Sequence, residues 1–249
     1  MELRGLLLDL DGTLYTGDRA IPGALEALQR LKLAGLTLRY VTNTTRMPRR
    51  AVCESLLSMG FDVRETEILT PARTAAAVVR HNTCFPLVEE SLLEDLGDVV
   101  LKDEEPDYVL VGDIGEAFDY AKLNAAFHHL MDGAELVALQ KNRYWQKQDG
   151  PSLDAGPFVA ALEYAAGETA TVVGKPEQSF FDLALDGMGL EPHEAAMVGD
   201  DAEADVEGAR DAGLRGIQVR TGKYRQGMES AGADLIVDSI ADLPDALGV

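Results

Sequence analysis

Over the first 80 residues the apolar and polar positions switch repeatedly between a strand-like and a helix-like period. Leu6-Leu7-Leu8 is an unbroken apolar run, the pattern of a strand buried on both faces of a parallel sheet, and it stops at Asp9-Leu10-Asp11-Gly12-Thr13. Pro22-Gly23 opens a helical pattern through Leu25, Leu28 and Leu31, closed by Gly35. Leu36 to Val41 alternates like a strand and ends in Thr42-Asn43-Thr44-Thr45. Pro48 suits the first turn of a second helix, whose apolar face is Val52, Leu56 and Met59. Ile68-Leu69 is a short strand, and Thr70-Pro71 starts a third helix through Ala75, Val78 and Val79. Three strand-helix alternations predict a parallel sheet.

The texture changes after His81. Phe85 to Val88, Val99 to Leu101 and Tyr108 to Val111 read as strands, followed by a helix through Leu123, Phe127, Leu130 and Met131 and a strand from Leu136 to Leu139. A loop, Lys141-Asn142-Arg143-Tyr144-Trp145, leads through Gly150-Pro151 to a helix through Phe158, Leu162 and Ala165. Residues 82–168 are therefore expected to form an inserted α/β unit of small-domain size. Thr171-Val172-Val173-Gly174-Lys175-Pro176 resumes the first pattern, with a helix carrying Phe180, Leu183 and Leu185. A strand from Ala195 to Val198 ends in Gly199-Asp200-Asp201. A helix through Val206 and Ala209 up to Gly213, strands at 216–219 and 235–237 and a last helix complete the chain.

Composition narrows the function. With 249 residues and 46% hydrophobic content, the chain can build one large domain or two small ones. Asp and Glu number 43 against 22 Lys and Arg, a formal charge of −21. Nucleic acid and anionic membrane are repelled by that field, and an anionic substrate needs a local cation to be held. No apolar stretch has transmembrane length, and Asp9 follows the N-terminus too closely for a signal peptide. Cys53 and Cys84 are too few for a disulfide framework and are expected as small buried hydrophobes, so the expected compartment is the reducing cytoplasm.

Four strand ends carry polar groups: Asp9 and Asp11, Thr42 and Asn43, Lys175, and Asp200 and Asp201. Ligands of open α/β sheets bind beyond the carboxyl ends of the strands. Gathered there, these residues combine carboxylates, hydroxyl and amide donors and one ammonium. Hard oxygen ligands suit Mg²⁺, and a carboxylate facing a metal and a lysine describes phosphoryl transfer through an aspartyl-phosphate. Each residue also has a plainer reading. Asp11-Gly12 and Gly174-Lys175-Pro176 can be ordinary turns, and Asp201 and Asp205 can cap a helix. His128-His129 lie on an amphipathic helix and are expected to be core or surface rather than metal ligands. Arg46, Arg49 and Arg50 are expected as a solvated helix start rather than a guide for anions.

Together, Asp9-Leu10-Asp11-Gly12-Thr13, Thr42-Asn43, Gly174-Lys175-Pro176 and Gly199-Asp200-Asp201 resemble the four motifs of the haloacid dehalogenase superfamily. An insertion between the Thr-Asn motif and the lysine resembles its NagD-like branch. Gly156-Pro157-Phe158 and Arg220-Thr221-Gly222-Lys223-Tyr224 resemble the group that includes phospholysine phosphohistidine inorganic pyrophosphate phosphatase. The resemblance implies a Rossmann-like three-layer α/β core with a parallel sheet, from residues 1–81 and 169–249, plus an inserted α/β cap domain. It implies a Mg²⁺-dependent phosphatase of small phosphorylated molecules. Asp9 would be the nucleophile and Asp11 the acid and base. Thr42, Asn43 and Lys175 would bind the phosphoryl group, and Asp9, the Asp11 backbone carbonyl and Asp200 would hold the metal. Asp201 and Asp205 would orient Lys175 or metal-bound water, and a homodimer through the cap is a further expectation.

Rivals remain in the sequence. A receiver-type phosphoacceptor also combines aspartates, Thr and Lys around Mg²⁺, but is about half this length and has no cap. A catalytically silent regulatory relative would not need Asp9, Asp11, Lys175 and Asp200 intact. A hydrolytic dehalogenase would need neither Asp11 nor a metal, and no Walker-type loop supports a kinase. The loop from Lys141 to Asp149, with Arg143, Tyr144 and Trp145, is a candidate for substrate selection or for cap packing.

Overall fold

The computed structural model describes residues 3–147, 150–227 and 229–249. The chain opens with β1 (Gly5–Asp9), a small hairpin of β2 (Tyr15–Thr16) and β3 (Arg19–Ala20), α1 (Ala24–Leu33), β4 (Thr37–Val41), α2 (Arg49–Ser58), β5 (Ile68–Leu69) and α3 (Pro71–Val78). Then come β6 (Thr83–Leu87), α4 (Leu93–Leu96), β7 (Val100–Leu101), β8 (Tyr108–Val111), α5 (Tyr120–Met131), β9 (Glu135–Ala138), β10 (Tyr144–Lys147), β11 (Gly150–Leu153), α6 (Ala155–Ala166) and β12 (Thr171–Val172). The last part holds α7 (Gln178–Asp186), β13 (Ala195–Gly199), α8 (Gly208–Asp211), β14 (Arg215–Val219), β15 (Leu235–Val237) and α9 (Leu243–Leu247).

The contacts divide the chain into two compact units. The first contains residues 1–42, 49–69 and 175–249, and is built on a six-stranded parallel sheet in the order β15-β14-β13-β1-β4-β5. Strand β1 lies inside the sheet, and its side chains go alternately to two cores. Leu6 and Leu8 pack with Leu28 and Leu31 of α1, Leu56 of α2 and Leu243 of α9. Leu7 packs on the other face with Phe180 and Phe181 of α7, Met197 and Ala209. Burial on both faces explains the unbroken leucine run, and each buried leucine contributes roughly 1.5–3 kcal/mol. The parallel sheet is the one that the alternation predicts, and its Rossmann-like three-layer arrangement is the one that the resemblance implies.

The second unit contains residues 43–48 and 70–174. Its parallel sheet has the order β12-β9-β8-β6-β7 and is also covered on both faces. Val109 and Val111 face Leu130 of α5 and Val159 of α6, whereas Leu110 faces Ala75 of α3 and Leu96 of α4. Thr70 caps α3, accepting from the Arg73 amide, and Pro71 occupies its first turn.

The expected elements need three corrections, two in strands and one in a helix. Thr171–Val172 does not return to the first sheet; it pairs with Val137–Ala138 of β9 and belongs to the second unit. A two-residue strand is too short for its pattern to say which sheet it joins. Tyr144 is not in a loop, because β10 and β11 form an antiparallel hairpin in which Tyr144 opposes Leu153. Gln148 and Asp149 of the expected 141–149 loop, and the Trp145 side chain, lie outside the described residues. The expected helix through Val206 begins as a π-helical turn, Ala202–Glu207, before α8.

Candidate active site

The β1–β13 register pairs Leu8 with Val198, so Asp9 at the end of β1 and Asp200 just past β13 emerge side by side. Lys175 starts the return of the chain into the first unit, ahead of α7. Its Nζ donates to Asp9 Oδ1 at 2.5 Å and to Asp205 Oδ1 at 2.6 Å. Asp205 Oδ2 accepts from the Asp201 amide at 3.1 Å, and the Thr13 hydroxyl lies 3.5 Å from Asp9 Oδ2. Asp9, Thr13, Lys175, Asp200 and Asp205 are all buried.

Burial opposes charge on each of these carboxyls. Asp9 is raised above its ordinary pKa by burial, an effect that the Lys175 ammonium opposes and Asp200 reinforces. Burial, with Asp205 and Asp201 as like charges, pushes Asp200 up to about 6. Asp205 is pushed up to about 7 by burial and by Asp9, against the pull of Lys175. For Lys175 the order reverses: burial favours the neutral amine, but Asp205 and Asp9 outweigh it and hold the ammonium charged. Burial works against the Asp201 carboxylate as well, yet Lys223, whose Nζ lies 2.9 Å from Asp201 Oδ2, holds its pKa below the usual range.

Oxygens of Asp9, Asp200 and Asp205 all lie within 4.8 Å of one another. At an effective dielectric of 20, two like charges about 5 Å apart repel by about 3 kcal/mol. One buried ammonium among three such carboxylates leaves negative charge in excess. Hard oxygens in excess over cations are the donor set of a hard divalent ion, so the residues fit Mg²⁺.

The Asp11 side chain is exposed, beyond Asp9 on the turn that Gly12 completes at a φ of 88°. Thr42 is buried at the end of β4, and its amide donates to the Leu69 carbonyl at 3.2 Å. Asn43 belongs to the second unit, where its Oδ1 lies 2.9 Å from the position a Cβ on Gly174 would take. Asp201 caps the π-helical turn by accepting from the Glu203 and Ala204 amides, as the plainer reading expected, while it also pairs with Lys223.

His129 packs against the Phe85 ring at 4.8 Å, and His128 lies 3.4 Å from the Asn124 amide. Neither joins the carboxylate cluster, the one potential metal-holding group found among the described residues. Of the three arginines, Arg49 and Arg50 stand at the start of α2 as expected, and Arg46 departs from expectation. Arg50 pairs with Glu54 and Arg49 with Glu65 on the surface, but Arg46 Nε donates to the buried Asp113 Oδ2 at 2.7 Å.

Sequence reasoning used Arg220-Thr221-Gly222-Lys223-Tyr224, the loop after β14, only as part of the resemblance and gave it no role in the site. Thr221 Oγ1 donates to the Gly12 carbonyl at 2.5 Å, and the Lys223 amide to Asp200 Oδ2 at 2.5 Å. The signal was present in Thr221-Gly222-Lys223, a Gly-containing turn at the carboxyl end of another strand of the same sheet.

Residues 6–102 match the family model described as haloacid dehalogenase-like hydrolase, and residues 172–243 match a second model of HAD-like hydrolases. Haloacid dehalogenase-like hydrolase domain-containing protein 2 of Bos taurus is 47% identical over 225 residues, covering 90% of this chain and 86% of its own. The chain belongs to the haloacid dehalogenase-like hydrolases, in their NagD-like branch. The phospholysine phosphohistidine inorganic pyrophosphate phosphatase of Rattus norvegicus is 40% identical over 256 residues, covering 98% of this chain and 94% of its own. Among solved structures, p-nitrophenyl phosphatase from Archaeoglobus fulgidus superposes with a TM-score of 0.92 at 27% identity, over 99% of this chain and all of that one. This haloacid dehalogenase-like protein is a phosphatase.

Proposed function

We propose that the protein is a Mg²⁺-dependent phosphatase of small phosphorylated molecules that works through a phosphoryl group carried on Asp9. The observation that carries this reading is the buried Lys175 ammonium, 2.5 Å from Asp9 Oδ1, in a pocket of excess carboxylate. A buried carboxyl whose burial-raised pKa is opposed by a charged lysine, followed by an exposed carboxyl two residues on, is equipped for nucleophilic attack with an acid and base beside it.

Asp9 attacks phosphorus, forming an oxygen–phosphorus bond as the bond to the leaving oxygen breaks. Asp11, exposed next to the nucleophile, gives its proton to the leaving oxygen. It then takes a proton from the water that hydrolyses the acyl phosphate, and the Asp9 carboxylate is restored. Lys175 offsets charge on Asp9 and on the phosphoryl oxygens, and Asp205 holds that ammonium in place. Thr42 and Asn43 supply hydrogen-bond donors to phosphate. Asp9, the Asp11 carbonyl and Asp200 would hold Mg²⁺, which when bound offsets the repulsion between the phosphate dianion and the carboxylates. Asp201 acts through Asp205 and Lys223.

The names of the relatives point to the substrates to test: aryl phosphates, phosphoamidates such as phospholysine and phosphohistidine, and pyrophosphate. The decisive experiment is phosphate release over that panel, with Mg²⁺ and after EDTA. Metal-dependent release that is lost in Asp9→Asn is the expected result. Turnover undiminished in metal-free protein, or in Asp9→Asn, would overturn the mechanism.

A further inference from the structure

The loop after β14 touches two of the proposed metal-holding segments at once. Thr221 Oγ1 donates to the carbonyl of Gly12, the residue that follows Asp11, at 2.5 Å. Two residues later the Lys223 amide donates to Asp200 Oδ2 at 2.5 Å. Between them, Gly222 adopts a φ of 57°, where side chains are strained. A Cβ on Gly222 would stand 2.0 Å from Asp200 Oδ2 and 2.5 Å from Gly12 Cα. A Cβ on Gly12 would likewise stand 2.3 Å from Asp200 Oδ2. The Asp200 carboxylate is therefore wedged between two glycine backbones, with one oxygen held by a main-chain N–H.

We infer that Thr221-Gly222-Lys223 is a clasp that sets the affinity of the site for its divalent ion, by fixing the turn after Asp11 and the Asp200 carboxylate relative to each other. The inference rests on the reading of Asp9, Asp11 and Asp200 as the metal-holding groups. Neither Thr221 nor Lys223 offers a ligand in this role. They are positioning residues, acting through Gly12 and Asp200. Asp200 and the Asp11–Gly12 turn lie at the ends of different strands, β13 and β1, so without a tie their separation would vary with the loops. A fixed oxygen is pre-organised for the small octahedral shell of Mg²⁺ and less so for Ca²⁺. Outer partners of metal ligands typically change metal affinity about 10- to 100-fold when removed.

The test is calorimetric titration of Mg²⁺ into the full-length protein, with the melting temperature of the metal-free form measured alongside. Thr221→Val removes the hydroxyl at nearly constant shape, and Thr221→Ser retains it. We expect Thr221→Val to raise the Mg²⁺ Kd by about tenfold, at the low end of that range, with Thr221→Ser restoring wild-type binding. Gly222→Ala should weaken binding further, and the Thr221 pair keeps the test decisive if that variant fails to fold. A Mg²⁺ Kd for Thr221→Val within a factor of about two of wild type would overturn the clasp while leaving the metal site standing. Absence of Mg²⁺ binding in the wild type would overturn the metal reading and the clasp with it.

Discussion

Lys175 and Asp205 form a buried ion pair, Nζ to Oδ1 2.6 Å, 30 residues apart in sequence, and the same ammonium reaches Asp9. The lysine thus carries two carboxylates that burial would otherwise drive toward the neutral acid. Lys175→Met is expected to leave both unpaired and to cost about 3–5 kcal/mol of stability at pH 8, the usual loss on breaking a buried pair. At pH 5 the loss should shrink, since Asp205, pushed up to about 7, then binds a proton, and burial raises Asp9 in the same direction. Denaturant unfolding of the metal-free variant at the two pH values checks this. An equal loss at both would mean that Lys175 acts through packing.

The raised carboxyls also set a pH dependence for metal binding. Asp200 and Asp205 titrate near 6 and 7 when folded and lower when unfolded. In the metal-free protein their contribution to stability is fully present below the unfolded pKa, near 4, and is lost as pH rises through 6 to 7. Mg²⁺ favours the ionised forms, so protons compete with it. The rise in Tm on adding Mg²⁺ is expected to be large at pH 8 and to shrink markedly by pH 5, read by differential scanning fluorimetry with and without EDTA. Ca²⁺ should raise Tm but inhibit turnover, because its looser coordination misplaces Asp9.

Asp11→Asn separates the two half-reactions. An aryl leaving group such as p-nitrophenolate needs little protonation, whereas an alkyl alkoxide depends on it. Alkyl phosphates should lose about 100-fold or more in rate, while on aryl phosphates the variant should stall after phosphoryl transfer. Rapid-quench mass spectrometry should then show a phosphate adduct on Asp9, absent from Asp9→Asn. Equal losses on both substrate types with no adduct would remove Asp11 from its role.

Within the second unit, Asp113 accepts from Arg46 Nε at 2.7 Å and from the Gly115 amide at 2.8 Å while almost fully buried. Asp113→Ala leaves that amide without this partner, and is expected to cost about 1–3 kcal/mol in chemical denaturation. A change under about 0.5 kcal/mol would mean that the pair adds nothing beyond a surface contact.

Much of this was legible in the sequence. The run Leu6-Leu7-Leu8 required a strand covered on both faces, and its end delivered Asp9 to the functional edge of the sheet, because side-chain period and burial are properties of neighbouring residues. Glycines and prolines marked most helix limits for the same local reason; Gly35 at a φ of 87° closes α1 where the pattern said it would. Three of the four polar strand ends were likewise readable, since Asp9, Thr42 and Asp200 stand at or directly after β1, β4 and β13; Lys175 instead follows β12, a strand of the other sheet.

Only the tertiary structure decided what those ends touch. Nothing in periodicity distinguishes Asp205 as a helix cap from Asp205 as the partner of Lys175; that depends on how the turn after β13 packs against the start of α7. Thr221 meets Gly12 across 209 residues, and Arg46 meets Asp113 across 67. The sheet to which Thr171–Val172 belongs was set by its pairing with β9, and the β10–β11 hairpin by its partner strand. Such contacts are fixed by packing between distant segments, where burial and charge compensation choose among partners that the local pattern leaves equivalent.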